Sequence, residues 1–161
     1  MPMYTRRGFA LLALAAPAAL TLPARAADDA LLVVTGAAAS SRTFSRADLE
    51  GMEQHVIETK TNFTDGRPAF RGPRLGAVLA AAGIEAGSTI RMTAANDYAI
   101  EAPFADIAAY DPILAMEIDG VKLTPRSRGP IWIMYPVDTL AADDREINDK
   151  LIWQLTRIEV M

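Results

Sequence analysis

The stretch Arg126-Ser127-Arg128-Gly129-Pro130-Ile131-Trp132-Ile133-Met134-Tyr135-Pro136 combines two cations, a Gly-Pro break, an apolar run and a closing proline. The apolar run is long enough for one buried strand, and the final proline ends it. Arg126 and Arg128 are therefore expected in a loop at the mouth of a core strand, with the rings of Trp132 and Tyr135 just beyond them. Such a place can hold a small, flat or anionic molecule, although aromatic residues in an apolar run are also typical of a core.

The first 26 residues have the pattern of an export signal. An arginine pair at positions 6 and 7 precedes an apolar run over residues 10–22, and small residues surround a cleavage point after Ala26. The pair resembles a twin-arginine signal, but a Sec signal also begins with positive charge. Because the run is short for a bilayer span, we expect a periplasmic protein with one domain over residues 27–161 and no membrane span after cleavage.

Composition excludes several classes of function. Removing the signal takes away three arginines and no acid, which shifts the formal charge from −4 to −7, so nucleic acid and anionic membrane are not expected as main partners. The chain has no cysteine, which excludes a thiolate nucleophile, a cysteine metal ligand and a redox pair. With His55 as the only histidine, a zinc site or a histidine-based triad has almost nothing to be built from.

Strand and helix patterns follow each other without regular alternation. Besides the opening stretch, strands are predicted at residues 31–35, 54–63, 89–93, 98–102, 113–118, 121–123 and 151–160, and helices at residues 45–50, 74–82 and 105–110, with a helix-prone segment at residues 141–150. Ser45 followed by Asp48 indicates a capped helix start, and Asp119-Gly120 indicates a hairpin turn. About seven short strands with two or three short helices predict a single α+β domain with a mixed β-sheet core, not a doubly wound fold.

Five short segments along the chain form a set. They are Thr64-Asp65-Gly66, Phe70-Arg71-Gly72-Pro73-Arg74-Leu75, Ala95-Asn96-Asp97-Tyr98-Ala99, Arg128-Gly129-Pro130-Ile131-Trp132 with Tyr135-Pro136, and Ile152-Trp153-Gln154-Leu155. In this order and spacing they resemble the small exported members of the oxidoreductase molybdopterin-binding (sulfite-oxidase-like) domain family. The resemblance covers most of residues 54–160 and implies a mixed α+β fold that binds a pterin-bearing cofactor at one end of its sheets.

The chain departs from the enzymes of this family at the metal ligand. Those enzymes hold molybdenum through a cysteine at the end of a strand equivalent to residues 54–63, and Thr61 stands near that place. A neutral hydroxyl is a poor replacement for a soft thiolate, so we expect no metal. The chain is similar instead to cysteine-free PruR-type periplasmic regulators. That resemblance implies binding of a free pterin and action on the periplasmic region of a membrane signalling enzyme that makes or degrades cyclic diguanylate.

A pterin site needs a carboxylate, a cation and an aromatic platform. The 2-amino and N3–H groups of a pterin match one carboxylate, and its carbonyl and side-chain hydroxyls accept hydrogen bonds from Arg or Asn. The candidate carboxylates are Asp97 and then Glu117, the platforms are Tyr98, Trp132 and Trp153, the donors are Arg126 and Arg128, and Asn96 assists them. Each residue also has a structural explanation, since Asp97 can cap a turn and Trp153 can belong to the core.

Three functions stay open at this point. The first is a non-catalytic pterin receptor that signals through a membrane partner. The second is a molybdopterin-dependent oxidoreductase or a subunit of one, which the twin-arginine-like signal favours and the missing cysteine opposes. The third is an interaction module without a ligand. Hydrolase chemistry is not favoured, because the serines have no histidine partner except His55 and lie in no nucleophile-elbow sequence.

Overall fold

The computed structural model describes residues 30–36, 40–139 and 144–161. The strands are β1 (Ala30–Thr35), β2 (Ser41–Ser45), β3 (Gln54–Glu58), β4 (Ala69–Pro73), β5 (Thr89–Ala94), β6 (Ala99–Pro103), β7 (Ile113–Ala115), β8 (Glu117–Ile118), β9 (Val121–Lys122), β10 (Trp132–Met134) and β11 (Leu155–Val160). The helices are α1 (Arg46–Glu50), α2 (Leu75–Ala81), α3 (Asp106–Tyr110) and α4 (Asp144–Asn148), with 3-10 turns at Pro125–Ser127 and Val137–Thr139. The predicted signal peptide and residues 141–143 of the helix-prone segment lie outside the described residues.

The described strands form three sheets. The largest has the order β2-β1-β11-β5-β6, a four-stranded sheet has the order β3-β4-β8-β9, and β10 pairs with β7. Strand β11 lies between a parallel neighbour, β1, and an antiparallel neighbour, β5. The mixed α+β architecture is therefore confirmed, and the last strand is paired on both edges inside a sheet. The strands are more numerous and shorter than predicted.

The predicted core strand of the opening stretch is β10. Trp132, Ile133, Met134 and Tyr135 are all almost completely buried. The Trp132 indole N–H donates to the Leu151 carbonyl over 3.0 Å, which satisfies the only polar atom of that side chain. The interpretation of this aromatic run as part of the hydrophobic core is confirmed.

Two local predictions from short motifs are confirmed. The Ser45 hydroxyl accepts from the Asp48 backbone N–H, while the Asp48 carboxylate accepts from the Ser45 backbone N–H, so α1 begins with a capping box. Asp119 and Gly120 both have positive φ, at 48° and 77°, between the paired residues Ile118 and Val121. This is the geometry that a two-residue hairpin turn requires.

The strand predicted for residues 54–63 was too long, because it ends at Glu58. Beyond that residue the threonine hydroxyls form hydrogen bonds outside the sheet, one to a distant segment and one within its own turn. Thr59 Oγ1 donates to Asp138 over 2.9 Å, and Thr61 Oγ1 accepts from the Phe63 backbone N–H over 3.1 Å. Side-chain bonds of this kind compete with sheet pairing, and the alternating pattern did not reveal them.

Three other boundaries were wrong. The segment from Ala69 to Pro73 is strand β4, so Pro73 ends a strand and does not open helix α2. The strand predicted for residues 113–118 is divided at Met116, since β7 pairs with β10 and β8 pairs with β4 and β9. Residues 151–154 precede β11 and do not belong to it. In each case the boundary depends on which strand lies alongside, which is a tertiary property.

Strands β4 and β7 approach each other closely at Gly72. A Cβ atom added there would lie 1.8 Å from the Leu114 carbonyl oxygen. The position of the added Cβ is set by the backbone of Gly72, and the Leu114 oxygen is itself a backbone atom, so neither can rotate away. The glycine is therefore required by packing and not by its dihedral angles.

We expect Gly72→Ala to lower the free energy of unfolding by about 3 kcal/mol or more, since it forces two strands apart. Urea denaturation followed by circular dichroism measures the change. The matched control is Gly76→Ala in helix α2, where an added Cβ would meet only the Ile107 side chain at 3.1 Å. Helix propensity offsets that contact, and we expect a change within about 1 kcal/mol. Equal effects of the two substitutions would contradict the close-approach argument.

Candidate functional site

A pocket of about 300 Å³ opens where three segments of the chain meet. Its floor is apolar and is formed by Ala94, Leu151 and Ile152. Its walls carry three aromatic rings, from Phe63, Tyr98 and Trp153, and three polar side chains, from Asn96, Asn148 and Asp149. We call it the aromatic pocket. A small apolar cavity with a few convergent polar groups is the usual form of a ligand site.

The rings of the aromatic pocket are fixed on one side and free on the other. Phe63 and Trp153 meet edge to face, with their centroids 5.1 Å apart and their planes at 76°. Trp153 also packs perpendicular to Trp132, at 6.2 Å and 89°, yet 37% of its surface stays exposed. Tyr98 is 57% exposed. Large aromatic surface at the mouth of a pocket is available for stacking on a planar ligand.

The turn between β5 and β6 places Asn96 and Tyr98. The Asn96 side-chain oxygen accepts from the Tyr98 backbone N–H over 3.2 Å, which is an Asx turn. Between them Asp97 adopts a left-handed conformation, with φ at 63°, and donates its backbone N–H to the Ala94 carbonyl. The turn directs Asn96 and Tyr98 to the aromatic pocket, whereas Asp97 does not line it.

The carboxylate in the aromatic pocket is Asp149. It follows helix α4, is exposed, and forms no ion pair with any other described residue. Its neighbour Asn148 is buried and accepts from the Asn62 backbone N–H over 3.0 Å. The turn that carries both residues is thus tied to the loop that carries Phe63.

An ion pair beneath the pocket holds the same turn. Lys150 Nζ lies 2.9 Å from an Asp106 carboxylate oxygen on helix α3, and both side chains are only 13% exposed. Burial by itself would lower the pKa of Lys150, but the hydrogen bond to Asp106 and the attraction of Asp106 and Glu146 raise the pKa overall. Lys150 is therefore charged and paired at neutral pH.

Of the nine residues predicted for the site, three line the aromatic pocket, namely Asn96, Tyr98 and Trp153. Trp132 is buried behind Trp153. The Arg128 guanidinium carbon lies 5.2 Å from the centroid of Trp132 and 5.8 Å from that of Trp153, so it backs the platform through cation–π contacts. Its backbone carbonyl accepts from Gln154 N–H over 3.2 Å, which fixes the loop.

The remaining predicted residues lie elsewhere. Arg126 is exposed on the 3-10 turn, outside the lining of the pocket. Glu117 lies on β8 and pairs with Arg71 over 3.0 Å. Thr61 lines a neighbouring cavity of about 340 Å³ and shares a hydrogen bond of 3.0 Å with the Thr64 hydroxyl. Two arginines were expected at the mouth of the core strand. Arg128 contacts the tryptophans there, and Arg126 does not line the pocket.

Phe63, Asn148 and Asp149 were missed by reasoning from the sequence. The sequence places Phe63 at the end of a predicted strand and Asp149 in a helix-prone segment. A usable signal was present, because Asn148-Asp149 is a turn-forming pair directly before the apolar residues Leu151 and Ile152. Nothing in the sequence indicated that this turn approaches the one at Asn96.

The donor set does not fit a thiolate-bound molybdenum. The chain has no cysteine, and the hydroxyl of Thr61 already bonds to Thr64 and to the Phe63 backbone. Within residues 30–36, 40–139 and 144–161, no three His, Asp or Glu side chains are grouped closely enough to share a metal ion. In the same ranges no helix is long and apolar enough to cross a membrane.

Comparison with known proteins gives a match in structure only. Neither a protein-family model nor a curated protein sequence matches the chain. The structure of the sulfane dehydrogenase SoxCD from Paracoccus pantotrophus is similar, with a TM-score of 0.62 and 16% identity. The likeness shows the fold. It confirms the predicted class, a single α+β domain with a mixed β-sheet core. The match covers 80% of this chain and 37% of that one. This chain therefore corresponds to only part of the longer protein.

We expect Asp106→Asn to lower the free energy of unfolding by about 1–3 kcal/mol at pH 7, because it leaves Lys150 without its main partner. A lysine with a raised folded-state pKa contributes stability below its ordinary pKa, about 10.4, and loses it as the pH rises through the folded value. The deficit should therefore shrink above about pH 10.4. Urea titrations at several pH values measure it, with Asp65→Asn as the surface control; a deficit that does not vary with pH would contradict the ion-pair account.

Proposed function

We propose that this protein is an exported, non-catalytic pterin-binding protein that relays pterin status to the periplasmic region of a membrane enzyme of cyclic diguanylate metabolism. The observation that carries the proposal is the aromatic pocket, in which exposed rings of Tyr98 and Trp153 accompany the exposed carboxylate of Asp149. The likeness in fold to an oxidoreductase supports a pterin-type ligand, and the lack of cysteine argues for one that carries no metal.

The chemistry of the pocket matches a pterin ring. Its planar bicycle stacks on Tyr98 and Trp153, and the pocket volume is at the lower end of those that hold small ligands. The 2-amino and N3–H donors pair with Asp149, which replaces Asp97 as the first choice because it lines the pocket. Asn96 supplies an amide for the ring carbonyl. Arg128 supports Trp153 from behind and is not required to touch the ligand.

The signalling part of the proposal rests on the resemblance to PruR-type regulators and on the export-like N-terminus. A receptor of this kind acts by presenting a different surface when the ligand is bound. Tyr98 and Asp149 are exposed at the pocket mouth, so a bound ligand changes the surface that a partner meets. The partner itself is the periplasmic region of a membrane signalling protein.

A molybdopterin-dependent oxidoreductase is the second candidate, since the fold supports it. That candidate requires molybdenum held by donors other than a thiolate, which the described residues do not offer. A ligand-free interaction module is the third candidate, and it leaves the open aromatic pocket without an explanation.

The first experiment is mass spectrometry and fluorescence of small molecules released from the purified protein, with molybdenum counted in the same sample. A pterin without metal is the expected result. Stoichiometric molybdenum with a pterin would restore the oxidoreductase. Recovery of neither, together with no binding of added pterins, would overturn the receptor and favour the interaction module.

Substitutions then identify the residues that bind. We expect Asp149→Asn and Tyr98→Ala each to weaken pterin binding about tenfold or more, because one removes the carboxylate that accepts two charge-assisted hydrogen bonds and the other removes a stacking surface. Asp97→Asn and Asp65→Asn are the matched controls, and we expect neither to change the affinity. Quenching of tryptophan fluorescence on titration measures all four. Loss of binding in Asp97→Asn with none in Asp149→Asn would move the carboxylate role back to Asp97.

A further inference from the structure

A second cavity, of about 580 Å³, adjoins the aromatic pocket. The two share Tyr98 and Asp149 as walls. The remaining wall of the second cavity comes from edge strand β6, with Ile100, Glu101 and Pro103, and from the end of α4, with Glu146 and Lys150. We call it the acidic cavity. A ligand seated in the aromatic pocket that carries a side chain can extend past Tyr98 and Asp149 into it.

The charges of the acidic cavity are unbalanced. Among the described side chains, three carboxylates line it, from Glu101, Glu146 and Asp149, against one ammonium, that of Lys150. That ammonium is held by the buried carboxylate of Asp106 at 2.9 Å and has Glu146 at 3.6 Å, so it has little charge left for a ligand.

The outer end of the acidic cavity is only weakly neutralised. Arg91 approaches Glu101 at 3.7 Å, but both side chains are about half exposed, and an ion pair of that kind is strongly screened. The Glu146 side chain is 72% exposed. The walls therefore present a negative potential together with several oxygen acceptors.

We propose that the acidic cavity receives the side chain of the bound heterocycle and selects one that is uncharged and bears hydroxyl groups, while it rejects a phosphate-bearing one. This rests on the proposed pterin site and goes further by assigning the class of side chain. Hydroxyl groups donate to carboxylates, whereas a phosphate brings up to two negative charges and only acceptor oxygens toward them. Glu101 and Glu146 are then the specificity-determining residues.

The cavity on the other side of the aromatic pocket is a poorer place for the side chain. It shares only Asn148 with the pocket and is smaller, at about 340 Å³. It is lined by Lys60 and by Asp138, and because Arg67 pairs with Asp138 at 3.0 Å, the charge of Lys60 would favour a phosphate. A side chain placed in the acidic cavity predicts a preference for the neutral ligand, and one placed in the cavity beside Lys60 predicts a preference for the phosphorylated ligand. A comparison of the two ligands therefore tells which cavity is used.

The test compares neopterin, which has a trihydroxypropyl side chain, with neopterin monophosphate, which differs by the phosphate alone. Fluorescence titration of the purified protein measures both affinities. We expect the phosphate ester to bind about tenfold more weakly at low ionic strength and the difference to shrink as salt is added.

Three variants assign the effect. We expect Glu101→Gln and Glu146→Gln each to improve binding of the phosphate ester about threefold, because each removes one negative charge, and to weaken neopterin about twofold, because a neutral amide oxygen accepts a hydroxyl less strongly than a carboxylate does. Glu85→Gln, which removes an exposed carboxylate beside helix α2, is the matched control and should change neither affinity. An equal response of all three variants would assign the effect to net charge and overturn the role of the acidic cavity.

The outcomes separate this inference from the proposed function. Equal or tighter binding of the phosphate ester, reversed by Lys60→Ala, would overturn the inference and leave the pterin site intact. If neither compound binds, and the aromatic-pocket variants have nothing to weaken, the proposed function fails and the inference fails with it.

Discussion

The burial of Trp132 is the interaction on which the rest of the structure depends. Its side chain is fully buried and stands edge to face against Phe70 of the four-stranded sheet at 5.5 Å and against Trp153 at 6.2 Å. Its indole N–H donates to the Leu151 carbonyl. This one side chain thus connects the two-stranded sheet to the four-stranded sheet and to the segment that leads into β11. Its loss would leave a large cavity and an unsatisfied carbonyl.

The same contacts position the site. Leu151 and Ile152 form the floor of the aromatic pocket, and their carbonyls accept from the Trp132 indole and the Ile133 backbone over 3.0 Å and 2.9 Å. The turn just before them is fixed by the pair of Lys150 with Asp106. The pocket is therefore a surface extension of the core, with its polar groups on anchored loops. Pre-organisation of this kind lowers the ordering cost of binding.

Short-range features of the site were predictable and long-range ones were not. Asn96 and Tyr98 belong to a turn signal, and Trp153 belongs to a motif of the family resemblance, so each could be proposed from its neighbours in the chain. Asp149 could not be preferred to Asp97 or Glu117, because what distinguishes these carboxylates is their surroundings in space. Glu117 is paired with Arg71, Asp97 has a left-handed backbone conformation at the tip of its turn, and Asp149 alone of the three lines the pocket.

The sequence by itself determined the class of fold, the capped start of α1, the hairpin turn at Asp119-Gly120, the buried strand at Trp132 and the absence of a thiolate ligand. Each of these follows from local periodicity, turn chemistry or composition. Only the tertiary structure decided where strands change partners, that Gly72 meets the backbone of β7, and that Phe63, Tyr98, Asp149 and Trp153 form one pocket. The reason is physical: these features depend on the distances between segments far apart in the chain, and such distances are set by packing of the whole core and not by any local preference.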